Sequence, residues 1–168
     1  MPDNAYDFTV GQNNENDAVR NKKARNPPDK VLFGDSDTAA EVANRLIPQF
    51  HPELGSAVIR YIGRSKAAKR SGNPVPGNVY RMSGKFGFLT SCDYVVEVAL
   101  DIWNGLNPTQ RNALMDHLLT RCVGEEDEES GDMKWKLRLP EVQEFPEVAE
   151  RQGQWNQGLV ELASCLKK

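Results

Sequence analysis

Polar residues crowd the first thirty positions, and an ordered alternation of apolar and polar residues begins only near Val31. Asp35-Ser36-Asp37 offers capping side chains, and Ala40, Ala43, Leu46, Ile47 and Phe50 then recur at helical spacing. That helix is expected to stop at Pro48 or at His51-Pro52, with His51 a polar residue at its edge. Ala57 to Ile62 is β-branched and aromatic and reads as a strand. Cys92 to Val98 reads as a second, with Tyr94, Val96 and Val98 facing inward. Ala99 to Leu106 reads as a short helical turn ended by Gly105.

The strongest local signal is Asn107-Pro108-Thr109-Gln110. Asn at N-cap, Pro at the first helical position and Gln at N3 together start a helix. It is predicted to run through Ala113, Leu114, His117, Leu118 and Arg121 to about Cys122. Met133 to Leu139 alternates strictly and predicts an edge strand with its basic side outward. A helix is then expected from Pro140 through Val142, Phe145, Val148 and Ala149, kinked or split at Pro146 and ended at Gly153. A last amphipathic helix is expected over Trp155 to Leu166. There is no internal repeat.

A length of 168 residues fits one principal domain, and 39% hydrophobic with 27% charged residues fits a soluble surface around one core. No stretch approaches the run of about 18 apolar residues that a membrane span needs, and no signal segment is expected at the start. Cys92, Cys122 and Cys165 are odd in number and widely spaced, which fits reduced thiols in a cytoplasm better than disulfides. Residues 1–30 are rich in Asn, Asp and Lys and are expected to form a disordered polar tail, leaving residues 31–168 as the single folded domain. The tail carries a basic cluster, Arg20, Lys22, Lys23 and Arg25, that could touch phosphate or an acidic partner or simply aid solubility.

The net charge of −3 hides a strong local asymmetry. Between Leu54 and Cys92 there is no Asp or Glu, while Arg60, Arg64, Lys66, Lys69, Arg70, Arg81 and Lys85 supply positive charge, with Tyr61, Tyr80, Phe86 and Phe88 interleaved. Much of this stretch is expected to be loop or hairpin. It is a candidate nucleic-acid surface, since bases stack on aromatic rings and phosphates follow cations. Glu125, Glu126, Asp127, Glu128, Glu129 and Asp132 form the opposite extreme and are expected to lie in a solvated loop, which could engage a basic groove on a partner or simply be hydrated.

From His51 to Leu162 the chain resembles a family of metallopeptidases of phages and prophages. The residues that carry the resemblance are His51-Pro52-Glu53-Leu54, Ile59 to Ile62, Asp93-Tyr94-Val95-Val96-Glu97, Leu106 to His117, Trp135 to Arg138, Val142 to Phe145, and Trp155. In that family the capped helix carries H-E-x-x-H, whose two imidazoles, four residues apart, grip one zinc while the Glu activates its water. A third His follows the edge strand. The resemblance puts the first ligand at His117, the catalytic Glu at Leu118, the second ligand at Arg121 and the third at Pro140. Leu118 cannot take a proton. The guanidinium of Arg121 would repel a dication, by roughly 4 kcal/mol per unit of metal charge at about 4 Å.

The resemblance therefore implies an α+β, zincin-like domain, with a short sheet of three to four strands packed by four to five helices. It implies a degenerate member without catalytic residues, bound metal or cofactor. Such a protein is expected to bind a host or phage macromolecule in the bacterial cytoplasm, for instance inhibiting a defence, restriction, recombination or transcription component. Nucleic-acid binding by the basic segment is one alternative. A zinc peptidase with substitute ligands from Asp116, Cys122, Glu125 or Glu141 is another. His117 is expected to be a core or edge histidine bonded within the protein. Leu46, Ile59, Val96, Trp103, Leu114, Leu118, Phe145 and Trp155 are expected to form much of the core.

Overall fold

The computed structural model describes residues 30–140, 142 and 146–167. Val31–Lys168 groups as one compact unit, separate from residues 1–30. The expectation of a disordered tail and its basic cluster lies outside the described residues, as do Phe145 and Glu141.

The fold is α+β, built on a mixed four-stranded sheet of order β1-β2-β6-β5. Strand β6 (Tyr94–Ala99) lies inside it, between β2 (Ile59–Arg64), which runs parallel to it, and β5 (Gly77–Arg81), which runs antiparallel. Register runs from Ile59 opposite Tyr94 to Arg64 opposite Ala99. Short β1 (Phe33–Asp35) closes the far edge against β2. An inner strand covered on both faces should read as a nearly continuous apolar run, and Tyr-Val-Val-Glu-Val-Ala does. The acid-free stretch that follows β2 holds more regular structure than expected. It forms a hairpin of β3 (Ala68–Arg70) and β4 (Asn73–Val75), turned by Ser71 and Gly72 at positive φ, then β5 and the short helix α2 (Lys85–Thr90).

Helix α1 (Asp37–Phe50) packs on the sheet and on α4 (Pro108–Thr120). Its buried stripe is Ala39, Val42, Ala43 and Leu46, begun one residue earlier than the sequence pattern implied, and Phe50 is 63% exposed. The inward position at this corner goes to His51 instead. Its ring is buried, not at a polar edge, and Nε2 lies 2.7 Å from Asp116 Oδ1 on α4. A buried imidazole needs such a partner, and this one joins residues 65 apart in sequence.

The start of α4 follows its sequence signature. Asn107 Oδ1 accepts from Gln110 N at 2.9 Å, and Gln110 Oε1 accepts from Asn107 N at 3.0 Å, a reciprocal capping box with Pro108 behind it. Replacing Asn107 with Ala should therefore cost about 0.5–2 kcal/mol, read as a lower urea midpoint at unchanged slope. The buried face of α4 is Met115, Leu118 and Leu119, continued by Cys122. Ala113 and His117 are exposed, the latter against the expectation of a core or edge histidine, because the inward stripe is 115-118-119-122 and its neighbour 114-117-121 faces a cleft.

The acidic run is not a simple loop. Glu125 and Glu126 end β7 (Cys122–Glu126), which pairs antiparallel with β8 (Met133–Leu137) in a hairpin apart from the main sheet. The alternating Lys134 and Lys136 of β8 offset two of its charges, ion-pairing with Asp127 and Glu125 respectively. Gly124 is required there, since a Cβ would stand 2.4 Å from Trp135 Cζ3. Tyr94 fastens the hairpin to β6. Its hydroxyl lies 2.6 Å from Lys136 O and accepts from Val123 N at 3.2 Å, and its ring meets Trp135 edge-on with centroids 5.9 Å apart.

The carboxy-terminal helices begin later than the pattern implied. Residues 140 and 142 are irregular, and α5 is described over Pro146–Gln152, with Pro146 in its first turn, where a residue with fixed φ and no N–H is tolerated. Gly153, at φ +65°, follows its end. Asn156 caps α6 (Gln157–Leu166) through Leu159 N, which leaves Trp155 outside the helix and 59% exposed, not in the core. Short α3 (Leu100–Trp103) places Trp103 at full burial. Leu46, Val96, Trp103 and Leu118 are buried as expected, while Ile59 and Leu114 are only half-buried against that cluster.

Candidate functional site

Three of the four positions that the sequence singled out on α4 and after β8 meet at one cleft. His117 and Arg121, one helical turn apart, present from α4, and Pro140 faces them from the segment after β8. The cleft has a volume of about 400 Å³ and is walled on the far side by Arg70, Gly77 and Asn78. An adjoining recess of about 170 Å³ shares His117, Arg121 and Pro140 and is closed by Thr120 and Arg138. Leu118 does not join them. It is 1% exposed and lies under β5, so close that a Cβ on Gly77 would stand 2.8 Å from its Cδ1.

His117 is exposed to the cleft, contrary to the expectation of a histidine bonded within the fold. Arg121 is half-buried. Its Nη1 donates to Asn78 Oδ1 at 3.0 Å, and its Nε is buried without a hydrogen-bond partner. The guanidinium thus ties the end of α4 to edge strand β5. Asn78 gave no signal in the sequence, where it lies in a stretch expected to be largely loop or hairpin.

The donor set does not fit a zinc ion. A hydrolytic site needs three protein ligands and an open position for water. Of the positions concerned only His117 carries a ligating atom, and Arg121 brings a fixed positive charge. Among the described residues no group of three His, Cys, Asp or Glu side chains comes together. The substitute ligands are engaged elsewhere: Asp116 holds His51, Glu125 pairs with Lys136, and Cys122 is buried with its Sγ 3.8 Å from Leu118 O.

Burial pushes the Cys122 thiol up to about 12, with the nearby Arg121 charge opposing, and burial likewise pushes the Tyr94 phenol up to about 12. Tyr61 moves in the same direction for the same reason. All three stay protonated in the fold at pH values where the unfolded chain has already ionised. Stability should therefore be full below about pH 9 and fall progressively toward pH 12. Denaturant midpoints across that range check it, and Tyr94→Phe should flatten the slope. Thiol reagents should label only Cys165 in the native state, since Cys165 is exposed, not buried, while Cys92 and Cys122 are buried.

The basic residues lie on several elements: Arg60 and Arg64 on β2, Lys66 just after it, Lys69 and Arg70 on β3, Arg81 on β5 and Lys85 on α2. Several are engaged internally. Arg60 pairs with Asp35, Arg64 stacks on Phe33 and donates to Lys66 O, Arg81 donates to Trp135 O, and Lys85 sits over Phe86. Of the acidic residues, Asp127 accepts from Glu129 N and Ser130 N and so shapes the turn in which Glu128, Glu129 and Asp132 stand exposed.

Fold and cleft together define an α+β domain in which a capped helix passes beside an antiparallel edge strand and presents its last turn to a groove. Residues 33–163 match the family described as "Putative phage metallopeptidase", and the chain belongs to that family. No curated protein and no solved structure shows significant similarity to the chain. Among the described residues no helix is long and apolar enough to cross a membrane.

Proposed function

We propose that this chain is a non-catalytic member of the phage metallopeptidase family, acting in the host cytoplasm by binding a host or phage macromolecule. The observation that carries this is the meeting of His117, Arg121 and Pro140 at one cleft while Leu118 lies in the core. The groove of a hydrolase persists, but a guanidinium and a pyrrolidine ring stand where two ligands would be needed, and the general-base position is apolar. Inhibition of a defence, restriction, recombination or transcription component by this chain is the biological role this reading favours.

The test is direct. Purified protein dialysed against zinc and measured by elemental analysis should retain less than one equivalent, unchanged by His117→Ala, and should not cleave unfolded protein substrates. Stoichiometric zinc lost in His117→Ala, together with turnover, would overturn the reading. Binding should be seen as an identified partner from bacterial lysate whose capture is lost on substitution at the cleft or at the acidic turn.

A further inference from the structure

The cleft carries guanidinium charge that no acidic side chain among the described residues answers. Arg70 on β3 and Arg121, the C-cap of α4, face the same space of about 400 Å³, with His117 of α4 beside them. Among the described residues Arg121 has one hydrogen bond, to a neutral amide, and Arg70, His117 and Arg121 have no carboxylate partner. No acidic side chain among the described residues lines either the cleft or the adjoining recess. Elsewhere in this domain opposite charges do find each other, as Arg60 with Asp35 and Lys136 with Glu125 show.

We propose that this cleft is an oxyanion site that binds a phosphate group, free or carried by a nucleotide. Three features favour phosphate over a lone carboxylate. The donors approach from two walls, which suits a tetrahedral anion, whereas a planar carboxylate is satisfied by a single guanidinium fork. A phosphate dianion also answers more than one guanidinium. The volume lies within the range of small-ligand pockets, with room beyond the anion itself. Asn78 holds Nη1 of Arg121, fixing the group before the ligand arrives and so lowering the ordering cost of binding. Opposing this, the site lies at the C-terminal end of α4, where the helix dipole disfavours an anion. The expected affinity for phosphate alone is therefore modest, with Kd on the order of 1 mM.

The proposal rests on the reading that no hydrolytic zinc occupies the cleft, and the two fail separately. Zinc uptake with peptide turnover defeats that reading, whereas a metal-free protein that ignores phosphate defeats only this inference. The experiment is calorimetric titration of the full chain with inorganic phosphate, a 5′-mononucleotide, a short single-stranded oligonucleotide and, as control, acetate. Phosphate and mononucleotide are expected to bind and acetate to bind about tenfold or more weakly. Arg121→Gln should lose about tenfold or more in affinity. Because that change also removes the tie to Asn78, Arg70→Gln on the exposed hairpin serves as the second variant. It should weaken binding several-fold at an unchanged melting temperature. A mononucleotide that outbinds phosphate assigns the remaining volume to the nucleoside, and an oligonucleotide that outbinds both assigns it to a nucleic-acid end. Absence of phosphate binding, equal binding of acetate, or affinity indifferent to both variants would overturn the site.

Discussion

Trp103→Ala is expected to cost about 3–5 kcal/mol, a third or more of the stability of an ordinary domain of this size. The indole is fully buried at the end of α3. Two residues hold it: Nε1 donates to Thr38 Oγ1 at 3.1 Å, and the Arg111 guanidinium lies 5.5 Å from the ring centroid while Arg111 Nε donates to the Trp103 backbone carbonyl at 3.1 Å. Truncation removes the largest buried side chain and leaves a void where α1, α3 and α4 meet. Chemical denaturation followed by far-ultraviolet circular dichroism should show a much lower midpoint, if the variant folds at all. Thr38→Val separates the polar part. It strands a buried donor while keeping the volume, and should cost about 1–3 kcal/mol. A Trp103→Ala variant within about 0.5 kcal/mol of the parent would mean that this tryptophan is not the keystone of the core.

The second large effect is a gain. Arg121→His together with Pro140→His should give a variant that holds zinc with Kd of about 1 μM or tighter, well above any zinc retained by the parent. The backbone positions already converge on the cleft, and the double change removes the repelling charge while adding two imidazoles to His117. Hydrolysis should not return with the metal, because Leu118 lies under Gly77 in the core and not in the groove. Adding Leu118→Glu would bury a carboxylate against the sheet and should cost stability before it adds activity. Zinc retention measured by elemental analysis after dialysis checks the first claim. If the double variant takes up no more zinc than the parent, the cleft is not the relic of a metal site.

The capped helix and the inner strand β6 were legible in the sequence because each rests on local chemistry, a capping box and an apolar run covered on both faces, whereas the α+β class came with the family resemblance. The phase of the helical stripes was less legible. On both α1 and α4 the buried set is displaced from the expected one, since which of two adjacent stripes turns inward is decided by the partner surface and not by the helix. Strand β8 was legible in its alternation, but its partner β7 escaped because a run of carboxylates looks hydrated until the lysines opposite it are paired. His51 escaped for a similar reason, its partner Asp116 lying far along the chain. The placements of His117, Arg121 and Pro140 followed family resemblance. What no local pattern carried was Asn78 and Arg70, which only the fold brings to the same groove.

A single phenol meets both strands of the acidic hairpin, at Val123 and at Lys136. The negative tip is consequently a bracket bolted to the middle of the sheet, not a thread hung from its rim. Whatever surface meets Glu128, Glu129 and Asp132 encounters charges already set in place, so recognition there surrenders little chain freedom and discriminates by position as well as by sign.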